Sequence, residues 1–340
     1  MQQFRILVAV TGVAVFHVCS FCAENLASAE NLVVGKYAIV IHGGCGSGER
    51  LADEAVQQDY LNSLKAALSL GQKLLDEGAA SLDVVEKVAR AMEDDPNFNA
   101  GKGAAFNREG RHELDASIMD GRTLACGAVA GATTAKNPIS LARLVMERTE
   151  HVLLAGAGAD QFAEAMNVDR VEPDYYFTPR LRKLWEDRQD QQTTGSAQLD
   201  HGGSRGTIGV VALDKNGNLA AATSTGGLSF KMPGRVGDSP IIGAGTYAKN
   251  GVCAVSCTGR GEEFIRHSVA HTLAALVEYK QVSLDEAARQ IIDETLARDV
   301  GGLIAVGADG SIAMPFNTRV MLRAAADASG RFEVKIWPDN

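Results

Sequence analysis

Thr207 follows Gly206 and opens an apolar, β-branched run, Thr207-Ile-Gly-Val-Val-Ala-Leu. A threonine hydroxyl is a weak nucleophile unless a base stands beside it. Scission of the Gly206–Thr207 bond would supply that base, because the new α-amine belongs to the same residue as the hydroxyl. An unperturbed α-amine titrates near ~7.7–8, so a useful fraction is neutral at physiological pH and can take the hydroxyl proton. Attack on a side-chain amide carbonyl then gives an acyl-enzyme and ammonia or an amine, and water completes the hydrolysis. The scission can use the same hydroxyl, which shifts the Gly206 acyl group from nitrogen to oxygen before water releases the new terminus. Glycine on the acyl side leaves the carbonyl unshielded. Intramolecular positioning can supply on the order of 7–11 kcal/mol of such a barrier.

Other residues have types suited to an amino-acid substrate. Arg235 and Asp238 stand three apart in Pro233-Gly-Arg-Val-Gly-Asp, a loop too rich in glycine to be helical. As an exposed ion pair they would contribute little. A guanidinium and a carboxylate together also complement the α-carboxylate and α-ammonium of a free amino acid. Thr258-Gly259 ends a strand-like run just before the helix containing Glu262, where a hydroxyl and a backbone N–H could face an oxyanion.

In chain order, Ile41-His-Gly-Gly, Phe98-Asn-Ala-Gly-Lys-Gly, His112-Glu-Leu-Asp-Ala, Gly127-Ala-Val-Ala-Gly-Ala, Thr207-Ile-Gly-Val-Val-Ala-Leu-Asp, Ala222-Thr-Ser-Thr-Gly-Gly, Pro233-Gly-Arg-Val-Gly-Asp-Ser-Pro, Gly243-Ala-Gly-Thr-Tyr-Ala and Ser256-Cys-Thr-Gly-Arg-Gly-Glu resemble the plant-type L-asparaginase / isoaspartyl peptidase family of N-terminal-nucleophile hydrolases. The resemblance spans roughly residues 36–337. It implies an α+β fold, the four-layer αββα sandwich, cut between Gly206 and Thr207 into an α-subunit (30–206) and a β-subunit (207–340). It implies that Thr225 supports the Thr207 nucleophile, that Thr258 and Gly259 form the oxyanion site, and that Arg235, Asp238 and the backbone of Gly261 clamp the substrate. His42-Gly43-Gly44 is implied to pack close to the cut, with Gly43 at it, and Asn99 to help position the nucleophile's end of the site. A structural sodium ion would sit on the backbone carbonyls of Met92, Glu93, Asp95, Phe98, Ala100 and Lys102, with no catalytic cofactor. The implied substrates are asparagine and isoaspartyl dipeptides, and the implied assembly is a dimer of αβ units.

Three rival readings exist. Glycosylasparaginase shares the fold, but its cut usually follows aspartate and its later motif reads Thr-Gly-Asn-Gly-Asp, against Gly206 and Thr258-Gly-Arg-Gly-Glu here. Gly202-Gly-Ser204-Arg-Gly206 matches a serine-hydrolase elbow in letters, yet that elbow needs a strand before the serine and a helix after it, and the order here is loop then strand. Gly43-Gly-Cys-Gly-Ser-Gly and Gly156-Ala-Gly-Ala are glycine-rich enough for a nucleotide loop, but neither completes Gly-x-Gly-x-x-Gly or carries the phosphate-loop lysine.

The chain has 340 residues, 46% of them hydrophobic, which suffices for a large core. A formal charge of −9 without a basic run argues against a nucleic-acid partner and for a small molecule. Residues 1–29 read as a secretory signal: Arg5, an apolar run, then Ala27-Ser28-Ala29 as a small-x-small cleavage site. The protein is therefore expected to be exported, periplasmic or secreted, the alternative being an uncleaved anchor. Cys45, Cys126, Cys253 and Cys257 would remain. The last two stand about 13 Å apart on a strand, out of disulfide reach, and buried free thiols are expected.

The elements that must position these groups follow from periodicity and punctuation. A buried strand over about 37–41 meets a glycine turn, and helices are expected over about 52–77, 82–94 (capped by Ser81) and 138–150 (capped by Asn137), then a strand over 151–155. Residues 167–206 show no period and read as a flexible linker to the cut. Beyond it, strands over 207–213 and 219–225 flank Asp214-Lys-Asn-Gly-Asn as a hairpin. A strand over 252–257, helices over 262–279 and 284–297, and strands over 303–306, 312–315 and 332–336 complete the pattern, and this blockwise order favours stacked layers.

Overall fold

The computed structural model describes residues 35–193 and 206–339. Its first half contains β1 (Ala38–Gly46), α1 (Glu54–Asp76), α2 (Ser81–Glu93), β2 (Leu114–Asp120), β3 (Cys126–Ala132), α3 (Pro138–Arg148), β4 (Leu153–Ala155), α4 (Ala157–Ala165) and α5 (Pro179–Thr193). The second half contains β5 (Ile208–Leu213), β6 (Leu219–Thr225), β7 (Thr246–Lys249), β8 (Cys253–Gly259), α6 (Gly261–His267), α7 (Val269–Lys280), α8 (Leu284–Arg289), β9 (Gly301–Gly307), β10 (Ile312–Ala313), β11 (Val320–Asp327) and β12 (Phe332–Lys335). One sheet runs β12-β11-β1-β5-β6-β2-β3-β4 and the other β10-β9-β8-β7.

Side-chain alternation along the strands produces four layers. Successive residues point to opposite faces, so Ile39, Ile41, Val210 and Ala212 pack with Leu64, Leu68, Val84 and Val88 of α1 and α2. Ala38, Val40, Val211 and Leu213 instead meet Ala254, Ile304 and Val306 of the second sheet. The far face of that sheet, with Val255, Cys257, Leu303 and Ala305, packs on Phe264, Leu273 and Ala287 of α6, α7 and α8. Helices, sheet, sheet, helices: the αββα sandwich is the fold. Both faces of each sheet are covered, which explains why β1, β5 and β9 read as nearly unbroken apolar runs.

Several expectations about helix ends are corrected. Ser81 is the first residue of α2 rather than its cap; its N–H donates at 2.9 Å to the carboxylate of Asp214, in the hairpin turn between β5 and β6. Asn137 makes no capping bond to α3, and its amide reaches Asp94 instead. The buried carboxyl of Glu93 takes over there, accepting from the N–H of Ile139 at 3.0 Å. The helix expected over 262–279 is two helices, broken at Ser268, which sits at φ 46°. The first two differences have one cause: the helix starts are capped across the fold by Asp214 and Glu93, far away in sequence.

The span 167–206 is also corrected, because it holds α5. Tyr176 and Leu181 are buried, Phe177 stacks on Phe106 at 5.6 Å, Trp185 packs edge-on against Phe106 at 5.2 Å, and Arg188 lies over Phe230. The mean polarity of the segment masked Leu181, Leu184 and Trp185, whose i, i+3, i+4 spacing marks one helix face. Residues 1–29, His201 and Ser204 lie outside the described residues. Cys126, Cys253 and Cys257 form no disulfide, as expected, though Cys126 is only half-buried, and burial pushes the Cys253 thiol up to about 12.

Candidate active site

Thr207 stands one step before β5, opposite Thr225 at the end of β6, one step beyond the paired Ile208 and Ser224. Antiparallel pairing thus brings the two threonines together, and their hydroxyl oxygens lie 3.2 Å apart. The chain is continuous here. The Gly206 carbonyl oxygen is 2.8 Å from Thr207 Oγ1, 3.0 Å from Thr225 Oγ1 and 2.7 Å from Asn99 Nδ2. Asn99 is held rigidly: its second N–H donates to the Gly227 carbonyl at 2.7 Å, and its Oδ1 accepts from Ala105 N–H at 2.6 Å. A Cβ on Gly206 would sit 2.7 Å from that of Asn99, so a side chain before the cut would force this donor away.

The remaining predicted groups converge from the second sheet and its loops. Gly206, Thr207, Thr225, Gly227, Arg235, Asp238, Ser239 and Gly259 line one cavity of about 10 Å³, room for about one water. Arg235 donates from Nε and Nη2 to the two carboxylate oxygens of Glu262, each at 3.0 Å. Burial opposes ionisation of Glu262, but the Arg235 hydrogen bonds and charge prevail and hold it below the usual range. Asp238 is buried, and its Oδ2 has no hydrogen-bond partner among the described residues. Burial pushes it up to about 7, against the pull of Arg235. Gly261 lies against it; a Cβ there would meet Asp238 N and Oδ1 at 2.8 Å.

Two polar atoms at this site therefore await a partner. Besides Asp238 Oδ2, the Thr258 hydroxyl is buried and unpaired at the end of β8, next to Gly259. Unsatisfied buried polar groups cost about 1–3 kcal/mol each. One is an acceptor suited to an ammonium and the other a donor suited to an oxyanion.

On the other side of Gly206 lies a larger cavity of about 360 Å³, lined in part by Gly43, Tyr60, Asn97, Asn99, Phe230 and Leu322. Gly43 falls at an irregularity in the β1–β11 ladder between His42 and Gly44, which turns it out of the sheet toward Phe98. Gly206 is shared by both cavities.

The loop from Met92 to Gly103 packs its glycines against its own carbonyls. A Cβ on Gly101 would collide with the Glu93 carbonyl oxygen, and one on Gly103 with those of Phe98 and Pro96. The carbonyls of Met92, Asp95 and Ala100 each accept a backbone N–H within the same turn. Backbone oxygens are the donor type of a hard cation, and a carbonyl that accepts one N–H keeps a second lone pair for such an ion.

Residues 35–336 match the protein family described as Asparaginase. The chain belongs to that family. It is 48% identical over 303 residues to the isoaspartyl peptidase of Escherichia coli (strain K12), covering 86% of this chain and 93% of the relative. It is 43% identical over 326 residues to a putative isoaspartyl peptidase/L-asparaginase of Dictyostelium discoideum, covering 85% and 92%. With the isoaspartyl peptidase/L-asparaginase of Homo sapiens it shares 40% identity over 304 residues, covering 89% and 96%.

Within this asparaginase-family site, three residues named in the sequence reading have side-chain roles that it did not assign. Glu262 was visible only as the last letter of Thr258-Gly-Arg-Gly-Glu, yet it fixes the Arg235 guanidinium from the first turn of α6. The carboxyl of Glu93 receives Ser224 Oγ at 2.6 Å, tying the strand residue beside Thr225 to the start of α3. Burial pushes Glu93 up to about 8, so it is mostly protonated at neutral pH. His42 contacts the Thr207 carbonyl through Nδ1 at 3.0 Å.

Proposed function

We infer that this protein is a self-processing threonine amidohydrolase that hydrolyses the side-chain amide of L-asparagine and the β-linkage of isoaspartyl dipeptides, releasing L-aspartate. The observation that carries the reading is the Gly206 carbonyl, ringed by Asn99, Thr225 and the Thr207 hydroxyl. As Thr207 Oγ1 attacks this carbonyl, negative charge grows on an oxygen already facing two fixed donors, the arrangement that lowers such barriers most. The C–N bond breaks, the hydroxyl proton ends on the Thr207 nitrogen, and water hydrolyses the resulting ester.

After scission, the Thr207 amine can take the hydroxyl proton and later return one to the leaving nitrogen. The substrate α-carboxylate would pair with Arg235, kept in place by Glu262, and its α-ammonium with the unpaired Asp238 oxygen. Asparagine and a β-aspartyl peptide share both groups and differ only beyond the carbonyl under attack. Thr258 Oγ1 and the Gly259 N–H would receive the substrate oxyanion.

Sodium would be held by the carbonyls of Met92, Glu93, Asp95, Phe98, Ala100 and Lys102, where it would brace the loop carrying Asn99. Assembly as a dimer of αβ units, and export directed by residues 1–29, belong to the same reading; Arg5, the apolar run and Ala27-Ser28-Ala29 support the latter. Intact mass and N-terminal sequencing of the purified protein, with aspartate release from asparagine and a β-aspartyl dipeptide, test the whole. A fully active single polypeptide would overturn it.

Arg235→Ala is expected to raise KM for asparagine at least ~10-fold, from loss of a charge-assisted pair of about 1.5–3 kcal/mol, while self-cleavage proceeds normally. Steady-state kinetics beside gel densitometry check both halves. A pH effect follows from Asp238. In the empty site it keeps its proton up to about pH 7, and only the carboxylate pairs with an ammonium. KM is therefore expected to rise as pH falls below about 7, approaching tenfold per pH unit, and Asp238→Asn should flatten that limb.

A further inference from the structure

His42 is completely buried in β1, and its two ring nitrogens have different partners: Nδ1 is 3.0 Å from the Thr207 carbonyl oxygen and Nε2 is 3.1 Å from Ser256 Oγ. From Ser256 a string of buried hydroxyls crosses between the sheets. Ser256 Oγ lies 2.7 Å from Thr223 Oγ1, Thr223 Oγ1 2.6 Å from Thr246 Oγ1, and Thr246 Oγ1 2.8 Å from Ser117 Oγ. Ser117 also reaches the Ser239 carbonyl at 2.6 Å, one residue from Asp238.

The direction of this string is set by elementary hydrogen-bond chemistry. A carbonyl only accepts, so the proton on Nδ1 must point at Thr207. Burial drives the imidazole pKa down to about 3, so the ring is neutral and Nε2 is an acceptor. Ser256 must then donate to Nε2 and accept from Thr223, and Thr223 must accept from Thr246. Each hydroxyl has one proton, so the protons of Ser256, Thr223 and Thr246 are assigned, and that of Ser117 is shared between Thr246 Oγ1 and the Ser239 carbonyl, both of which can only accept it. The backbone makes room for the arrangement at Gly209, which pairs with His42 across β1 and β5; a Cβ there would collide with His42 Nε2 and Ser256 Oγ. The glycine two residues after the nucleophile is thus explained by the ring that lies over it.

We propose that His42 and the Ser256–Thr223–Thr246–Ser117 hydroxyl string are positioning residues for Thr207, locking one imidazole tautomer onto its carbonyl and coupling the nucleophile to the loop that carries Asp238. The Thr207 carbonyl takes no part in bond making and survives the cut. Holding it fixes the backbone of Thr207, and with it the direction of the amine and hydroxyl in both the uncut and the cut enzyme. The effect on turnover rests on the amidohydrolase reading; the tautomer and the effect on self-cleavage do not.

The test uses full-length protein. Ser256→Ala removes the donor to Nε2 and is expected to lower kcat for asparagine roughly ten- to hundredfold, the scale of a small misplacement of a reacting group, with KM within about twofold and slower self-cleavage. His42→Asn, which retains a donor near the Nδ1 position, should keep more activity than His42→Leu. Nitrogen-15 NMR of the wild-type imidazole should show His42 protonated on Nδ1 only, unchanged through the range where free histidine titrates. Variants that lose thermal stability but keep kcat, KM and cleavage rate, or a wild-type ring protonated on Nε2, would overturn the proposal. If wild type proved inactive on asparagine and β-aspartyl dipeptides, the functional reading would fall, while the NMR and cleavage-rate arms would still decide this one.

Discussion

Thr207→Ala is expected to leave one uncut polypeptide and to lower asparagine hydrolysis by at least ~10⁴-fold, the scale seen when a covalent nucleophile is removed. The variant should fold, because alanine removes one hydroxyl from a site where Thr225 and Asn99 still satisfy the Gly206 carbonyl; the net cost of one hydrogen bond is about 0.5–1.5 kcal/mol. The activity is lost for two separable reasons. The nucleophile is gone, and with Gly206 attached the cavity beside Arg235 and Asp238 has room for about one water. The uncut variant should therefore fail to bind aspartate by calorimetry, whereas cut wild-type protein binds it. Aspartate binding by intact Thr207→Ala protein would show that the substrate site forms without scission and would remove the cut from its assembly. Thr207→Ser, which keeps a hydroxyl, should cut and turn over at reduced rates.

The parts of this site that were readable in sequence are those confined to one backbone segment. Gly206-Thr207, Thr258-Gly259 and the Arg235/Asp238 loop each place chemistry within a few residues, and the structure gathers them at one end of the sandwich. The layers were readable because strands covered on both faces become continuous apolar runs. What stayed hidden depends on distances across the fold. Glu262 is 27 residues from the arginine it holds, and His42 is 165 residues from Thr207. No local period reports such a pairing. The strand β11 was missed because Arg323 interrupts its apolar run; that arginine is nonetheless buried, with its guanidinium over the Phe316 ring and within 3.4 Å of Asp339. Helix α5 was missed because charge on its solvent side outweighed three apolar residues in any average over the segment.

Thr258→Val and Asn99→Ala should separate the two reactions that Thr207 performs. In self-cleavage the charged oxygen is that of Gly206, and its donors are Asn99 and Thr225. In the proposed substrate hydrolysis the oxygen belongs to the bound amide, and the Thr258 hydroxyl, without a partner among the described residues, would be its donor. Loss of one such donor costs about 2.7–4 kcal/mol of barrier, or 10²–10³ in rate. Thr258→Val is thus expected to cut at the wild-type rate and then turn over asparagine 10²–10³ times more slowly, with KM little changed. Because its hydroxyl has no hydrogen-bond partner among the described residues, valine removes a buried unsatisfied group, and the melting temperature should hold or rise. Asn99→Ala should do the reverse. Self-cleavage slows by a similar factor, and stability falls by about 1–3 kcal/mol because the Gly227 carbonyl and the Ala105 N–H lose their partner. The fraction that does cut should be impaired less than Thr258→Val. Time courses of chain scission, asparagine kinetics on the cut fraction and thermal melts measure all three quantities. Equal damage to both reactions in Thr258→Val would mean that one oxyanion site serves both, and the division between Asn99 and Thr258 would have to be given up.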